Sequence, residues 1–393
     1  MIAFPQGEWN NWYFGWHAGI SFSSGLPVAL PASPISQSAG ISGFSISDST
    51  GAFLFCSEGQ NVYNRNLTIT PNGSGLLGGG SSCQAIIAVQ LPESSNIYYI
   101  ISAGHDPGGG PGEIIGLHYS VFDLNLNGGL GDIVPGMKNI PIPYGDSVVD
   151  QLTATRHKNN KDIWIVALKH GSRNQYVSYL LTSSGLSTTP IFSSTNLKAK
   201  IRHRGVFGYL KISFDGRNLV CTDSLQEICY FNSSTGIVVP RFLFLTDFPS
   251  IVAPLRGKEF SIDSKYLYLS DNGNLPSSSY VFQYDPTALD SISFMQSQTL
   301  IGQGSGFNIQ MAPDWKIYLG NYSPFSDSIN VIINPSGGGT LCSYQQNAIG
   351  LGNNHNYCFP QFVQRYKAYI HSEGQCQGDS IHFSGDIWPP ADS

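Results

Sequence analysis

Six times along the chain a short apolar segment runs into a polar turn and out into a second apolar segment. The turns are Asp48-Ser-Thr-Gly51 before Phe53, Pro92-Glu-Ser-Ser-Asn96 before Tyr98, and Asn159-Asn-Lys-Asp162 before Trp164. Asp215-Gly-Arg217 before Leu219, Asp263-Ser-Lys265 before Leu267, and Pro313-Asp-Trp-Lys316 before Tyr318 complete the set. The residues that follow the turns are 45, 66, 55, 48 and 51 positions apart. Hairpin repeats of that length, with no helical period between them, predict the blades of a β-propeller. A second hairpin follows within a unit, as in Tyr119-Ser-Val-Phe-Asp123 running into Leu126-Asn-Gly-Gly-Leu130, which makes four strands per blade. A seventh blade can be assembled from both ends. Cys358-Phe-Pro-Gln-Phe-Val363 would supply its inner strand, with Trp12-Tyr-Phe-Gly15 and Ile20-Ser-Phe22 as partners. Joining the ends in one blade closes the ring and removes exposed sheet edges. The expected fold is an all-β propeller of seven four-stranded blades over residues 1–367.

Composition agrees with this class. Charged residues are 12% of the chain, while 44 glycines and 12% aromatics supply turns and packing, a pattern of secreted all-β proteins. A net charge of −6 gives no electrostatic footprint for nucleic acid. No run of about 18 apolar residues is present to span a bilayer. The opening Met1-Ile-Ala-Phe-Pro-Gln6 lacks the basic and apolar regions of a signal peptide, which by itself reads as a cytosolic protein; a processed or truncated chain is the reading that the resemblance given below implies. The seven cysteines contain no C-x-x-C pair, which argues against a structural zinc site. Cys342 could bridge Cys358 and Cys56 could meet Cys83; buried free thiols on strands are the competing reading. Cys376 is the expected odd thiol.

The segment Asn11-Trp-Tyr-Phe-Gly15, with Ala18-Gly19 and Phe22, resembles the opening of propeller domains in secreted multidomain surface proteins of the Bacteroidetes. Tyr63-Asn-Arg-Asn66, Gln84-Ala-Ile-Ile87, Leu117-His-Tyr-Ser-Val121, Gly208-Tyr-Leu-Lys-Ile-Ser213 and Phe359-Pro-Gln-Phe-Val363 continue the likeness, which covers roughly residues 9–367. Trp16-His17 and Val166-Ala-Leu-Lys-His170 depart from the pattern. The resemblance implies export, attachment at the cell surface, and association with gliding motility and type IX secretion. It also implies a following PKD or Ig-like module, whose truncated start would lie in residues 368–393, in Cys376-Gln-Gly-Asp379. It carries no enzymatic activity to transfer. The Asp-Ser-x motif further resembles the O-glycosylation signal of such proteins and marks Ser49, Ser147, Ser224, Ser291, Ser328 and Ser380. Ordinary turn chemistry explains the same dipeptides, because Asp and Ser both cap turns.

Motifs for a serine or cysteine nucleophile, an H-E-x-x-H zinc site and an EF-hand loop are missing. The densest polar group is Glu58, Tyr63, Asn64 and Gln84, which reads either as loop-fixing hydrogen bonds or as a pocket for sugar hydroxyls. His157, ahead of Asp162 and Trp164, is the best single functional candidate; its competing role is a hydrogen bond to a neighbouring blade. Trp9, Trp12 and Trp16 invite a sugar-stacking role, with Trp12 more at home in the core and Trp16 the one to test. No cofactor is implied, and Ca2+ is the one ion left open, with His105-Asp106 as a weak cation site. Two function classes follow. One is a non-catalytic module, monomeric in isolation, that presents loops to a glycan or a cell-surface protein. The other is a glycosidase or lyase with carboxylates converging in the channel.

Overall fold

The computed structural model describes residues 7–15, 17–30, 33–35, 43–78, 84–105, 114–171, 174–197, 209–222, 225–245, 257–270, 280–303, 308–320, 327–352, 358–364, 368–373 and 382–387. Its sheets form a seven-bladed β-propeller. In chain order after the first sheet, blades 1 to 6 span residues 44–74, 86–141, 148–194, 209–244, 257–303 and 308–350. Every described strand pair in these blades is antiparallel and joins near neighbours in sequence. Blade 4 is representative, with strands Tyr209–Ile212, Asn218–Thr222, Gln226–Asn232 and Ile237–Phe244 in that order. Blades 2 and 3 each carry a fifth strand, Ile140–Pro141 and Ile191–Ser194.

The predicted turns fold as turns because their Asp side chains take up backbone N–H groups. Asp48 Oδ1 accepts from the N–H of Thr50 and Ala52, at 2.8 and 3.0 Å. Asp215 and Asp263 accept in the same way from Arg217 and Lys265. The Asp-Ser dipeptides therefore have a structural role wherever they cap. Asp290 caps the short helix Ser291–Gln296, accepting from the Ser293 N–H. Ser49 is exposed; Ser147, Ser291 and Ser328 are half-buried, and Ser328 donates to Asn347 at 2.8 Å. Ser224 and Ser380 lie outside the described residues.

Both ends of the ring meet at the seventh blade, as expected, but the expected inner strand, residues 358–363, does not join its ladder; among the described residues the isolated bridge of this segment is Gln364 to Thr155 of blade 3. Strands Asn11–Phe14, Ala18–Ser21 and Val28–Ala29 form the ladder of the seventh blade. Residues 358–364 lie against that ladder, with Phe359 packed on Trp12 and Phe14 and Phe362 on Trp9 and Trp12. Trp9 and Trp12 are thus core residues and not sugar platforms, a correction for Trp9. Trp16 lies outside the described residues.

The apolar core sits between blades. One cluster joins blades 1 and 2, a second blades 2 and 3, and a third blades 3 and 4. The largest joins the closing blade to blades 4, 5 and 6. Cys342 is a buried free thiol, whereas Cys358 is disulfide-bonded. The expected Cys342–Cys358 bridge is therefore corrected, and Cys358's partner lies outside the described residues, as do Cys83 and Cys376. Cys56 is also a buried free thiol, so it does not bridge to Cys83. Residues Ala368–Glu373 and His382–Ile387 pair in a separate two-stranded antiparallel sheet. Among the described residues no helix is long and apolar enough to cross a membrane.

Candidate functional site

In a ring of antiparallel blades the first and third turns of every blade return to the same face. Three blades bring such turns together around one groove. Blade 3 contributes its first turn, residues 157–162; blade 4 its turns at 213–217 and 232–236; and blade 5 the loop after Tyr284. The groove holds about 580 Å³. Its floor is Tyr230, 49% exposed, beside Asn218, Asn232 and Val239; Lys158, Arg217, Arg241 and Asp215 also line it.

A bulge in blade 4 shapes this floor. Ile228 pairs with Phe242 while Cys229 pairs with Pro240, so Arg241 is the extra residue. A bulge re-aims a side chain, and here the Arg241 guanidinium lies 4.4 Å from the centre of the Tyr230 ring. Its N–H groups donate to the carbonyls of Pro286 at 2.7 Å, Thr287 at 3.2 Å and Ala288. Arg241 is thereby fixed by neutral partners, and its charge is kept at the groove.

His157 stands at the groove's edge, in the role of a link between blades. Its Nδ1 accepts the Asn159 N–H at 3.0 Å, which leaves Nε2 to donate to the Ser234 carbonyl at 3.0 Å. The Ser233 carbonyl accepts from the Lys158 N–H at 3.0 Å and from the Trp164 indole at 2.8 Å. These bonds strap the turn of blade 3 onto that of blade 4. Gly236 completes the fit: its φ is +72°, and a Cβ there would meet the Trp164 ring at 2.7 Å.

Glu58, Tyr63, Asn64 and Gln84 do not converge on one pocket. Glu58 is buried in blade 1 and accepts from the Asn61 backbone N–H at 3.1 Å and side chain at 2.6 Å. Burial raises its carboxyl above the usual range. Burial and the Glu58 charge push the Tyr63 hydroxyl up to about 12. The Tyr63 ring packs on the small core of Tyr13, Ile35 and Cys56. Asn64 Oδ1 accepts from Asn66 and Thr68 and holds the hairpin. Gln84 lies instead at the ring axis, donating to the Leu210 carbonyl at 3.0 Å and accepting the Leu210 N–H at 2.7 Å.

The axis itself is filled. The Gln361 N–H donates to the Gly43 carbonyl at 2.8 Å, and Gln364 is bonded to Ala154 and Arg156 of blade 3. A cavity remains among Gln84, Thr153, Lys211, Lys258, Gln310 and Gln361, with 10 Å³ for the centre of a water molecule. That space holds about one water, and no carboxylate lines it. Glu259 is buried beside it, with Lys211 Nζ at 2.8 Å and N–H bonds from Met311 and Phe260. Lys258 is lowered to about 7 by burial. Among the described residues, no three His, Cys, Asp or Glu side chains are grouped to hold a metal ion. The expected His105-Asp106 cation site is untested, because Asp106 lies outside the described residues.

The groove was missed in the sequence because Lys158, Arg217, Tyr230 and Arg241 each look like turn or strand residues locally. Only the strand register brings them together.

No family model matches the chain, and no curated protein matches it. Solved propeller structures do. A Bacteroides fragilis protein named as a candidate 6-phosphogluconolactonase shares 13% identity and a TM-score of 0.48, covering 89% of this chain and 96% of its own. The periplasmic gluconolactonase of Pseudomonas aeruginosa shares 16%, with a TM-score of 0.42 over 74% of this chain and 76% of its own. Sqt1 of Saccharomyces cerevisiae shares 10%, with a TM-score of 0.38 over 94% and 87%. Likeness at this level carries no function across.

Proposed function

We propose that the chain is a non-catalytic binding module of an exported, cell-surface protein, and that its turn face engages a glycan. The groove at Tyr230 carries this reading. It pairs an exposed aromatic ring, suited to the C–H face of a sugar, with Asn218 and Asn232 amides that can orient hydroxyls. The filled axis also favours binding over channel hydrolysis. The cavity there is too small for a sugar ring, and the buried Glu259 and Glu227 are spent on internal bonds: Glu227 accepts from Tyr176 at 2.7 Å and from the Asn196 N–H at 2.7 Å. A glycosidase needs two carboxylates facing the scissile bond.

A glycan array probed with the purified chain, with parallel assay of new reducing ends, tests this. Retention of a glycan without product is the expected result, and Tyr230→Ala should abolish it. New reducing ends would overturn the non-catalytic reading.

A further inference from the structure

Resting on the binding-module reading above, we infer that the propeller carries a second saccharide site, toward the face opposite the groove at the rim between blades 2 and 3, and that it takes an uncharged sugar unit. Among the described residues the exposed Phe, Tyr and Trp rings are Tyr230, which floors the groove, and Tyr144 and Phe192. Tyr144, 56% exposed, and Phe192, 44% exposed, meet edge to face, with centroids 5.8 Å apart and planes at 86°. Tyr144 comes from the connection between the two blades, and Phe192 from the fifth strand of blade 3, Ile191–Ser194. Two exposed rings at right angles form a corner whose apolar faces suit the C–H surface of a pyranose.

The rings are held in place. Tyr144 has φ +66°, a strained conformation for a bulky residue. Its carbonyl accepts from Lys169 Nζ at 2.8 Å, the Pro143 carbonyl accepts from the Tyr179 hydroxyl at 2.7 Å, and Gly145 is bonded to Ile142 and Leu117. Strain persists where the surroundings over-determine it, and here it turns a ring to solvent. The strand of Phe192 is fixed to blade 4, where Ser193 Oγ accepts the Val238 N–H at 2.9 Å. Register supplies a polar border. Lys169 pairs with Gln175 and Gln175 with Ser194, while Phe192 pairs with Val177, so alternation puts Lys169, Gln175, Ser194 and Phe192 on one face of blade 3. An ammonium, an amide and a hydroxyl thus run in a row beside the corner. Lys169 forms an ion pair with Asp146 of the Tyr144 turn. The border therefore offers donors and acceptors with its charges balanced, which matches sugar hydroxyls and not an ionised sugar.

Two rings without a groove bind more weakly than the groove does, so the test is titration in solution, free of the washing that an array needs. Tyr230→Ala silences the groove. Isothermal titration of that variant uses neutral galactan oligosaccharides, oligogalacturonate as the charged control, and poly-L-proline as a peptide that also docks on aromatic surfaces. Tyr144→Gly or Phe192→Ala is then added to it. Glycine relieves the strained backbone, so Tyr144→Gly should keep or raise the urea midpoint while the ring is lost. The expected result is binding of the neutral oligosaccharide to Tyr230→Ala that weakens about tenfold or more with either added change and does not move between about 50 and 300 mM salt. Neutral binding to wild type but none to Tyr230→Ala, or binding that neither added change weakens, would overturn the corner and leave the binding module standing. Preference for oligogalacturonate would overturn the uncharged ligand, and binding of poly-L-proline alone would overturn the sugar. Binding of none of the probes to wild type would overturn both readings.

Discussion

His157 and Gly236 hold the same joint from opposite sides, and their substitution should separate fit from bonding. The imidazole contributes two hydrogen bonds, to Asn159 and Ser234. His157→Ala removes both on a half-exposed side chain, so a loss of about 1 kcal/mol is expected in urea unfolding. Gly236→Ala should cost more, about 3 kcal/mol. An L-residue at positive φ is strained by about 1–2 kcal/mol, and the new methyl must also displace the Trp164 ring. Reversal of that order would mean that the strap, and not the close packing of glycine on tryptophan, joins blades 3 and 4. His157 was visible in the sequence because a histidine between two strands next to Asp162 and Trp164 is unusual. Its competing role, a bond to the next blade, is the one the geometry displays. Gly236 drew no notice, since its need for a missing side chain depends on a ring 72 positions away.

At the scale of the strand, the first strand of blade 5 places two buried ionisable residues, Lys258 and Glu259, next to each other near the centre of the ring. Glu259 ties Lys211 of blade 4 to the Met311 N–H of blade 6. Glu259→Gln would strand a buried ammonium, and a loss of about 3–5 kcal/mol is expected. The double variant Glu259→Leu with Lys211→Met should recover much of that, because an apolar pair leaves no charge behind. Lys258 gives a pH signature. Its folded value falls to about 7, chiefly by burial, from the usual 10.5. The unfolded chain therefore binds more protons between those values, so stability should rise with pH from about 7 toward 10. Lys258→Met should flatten that rise, as read from urea midpoints at pH 6.5 and 9; an unchanged slope would mean that the ammonium is solvated. Turns and blades were legible here because Asp215, Asp263 and their like cap hairpins by local chemistry. The ion pair and the groove were not. Each joins residues tens of positions apart on different blades, and only the ring geometry brings them within reach.

For the molecule as a whole, closure decides stability, and the segment 358–364 provides it. It touches the closing ladder through Phe359 and Phe362, blade 1 through Gly43, and blade 3 through Ala154, so its loss would open the ring at several points at once. Cys358 begins that segment and is covalently held. The sequence reading offered Cys342 as the partner of Cys358, and Cys342 is a free thiol; spacing along a chain does not report distance across a ring. Removing the bond frees the start of the plug in the unfolded chain, which for a disulfide costs about 2–4 kcal/mol. Cys358→Ser should therefore lower the urea midpoint, and reductant should produce a matching shift in the wild type but none in the variant. Cys342→Ser should leave the response to reductant intact, because Cys342 is a free thiol beneath the surface of blade 6. Alkylation offers an independent reading. Cys56, Cys221, Cys229 and Cys342 should label in denaturant without reductant, and Cys358 only after reduction. If Cys342→Ser instead abolished the shift, and Cys342 stayed unlabelled until reduction, the two late cysteines would be the pair and the plug would be tied to blade 6.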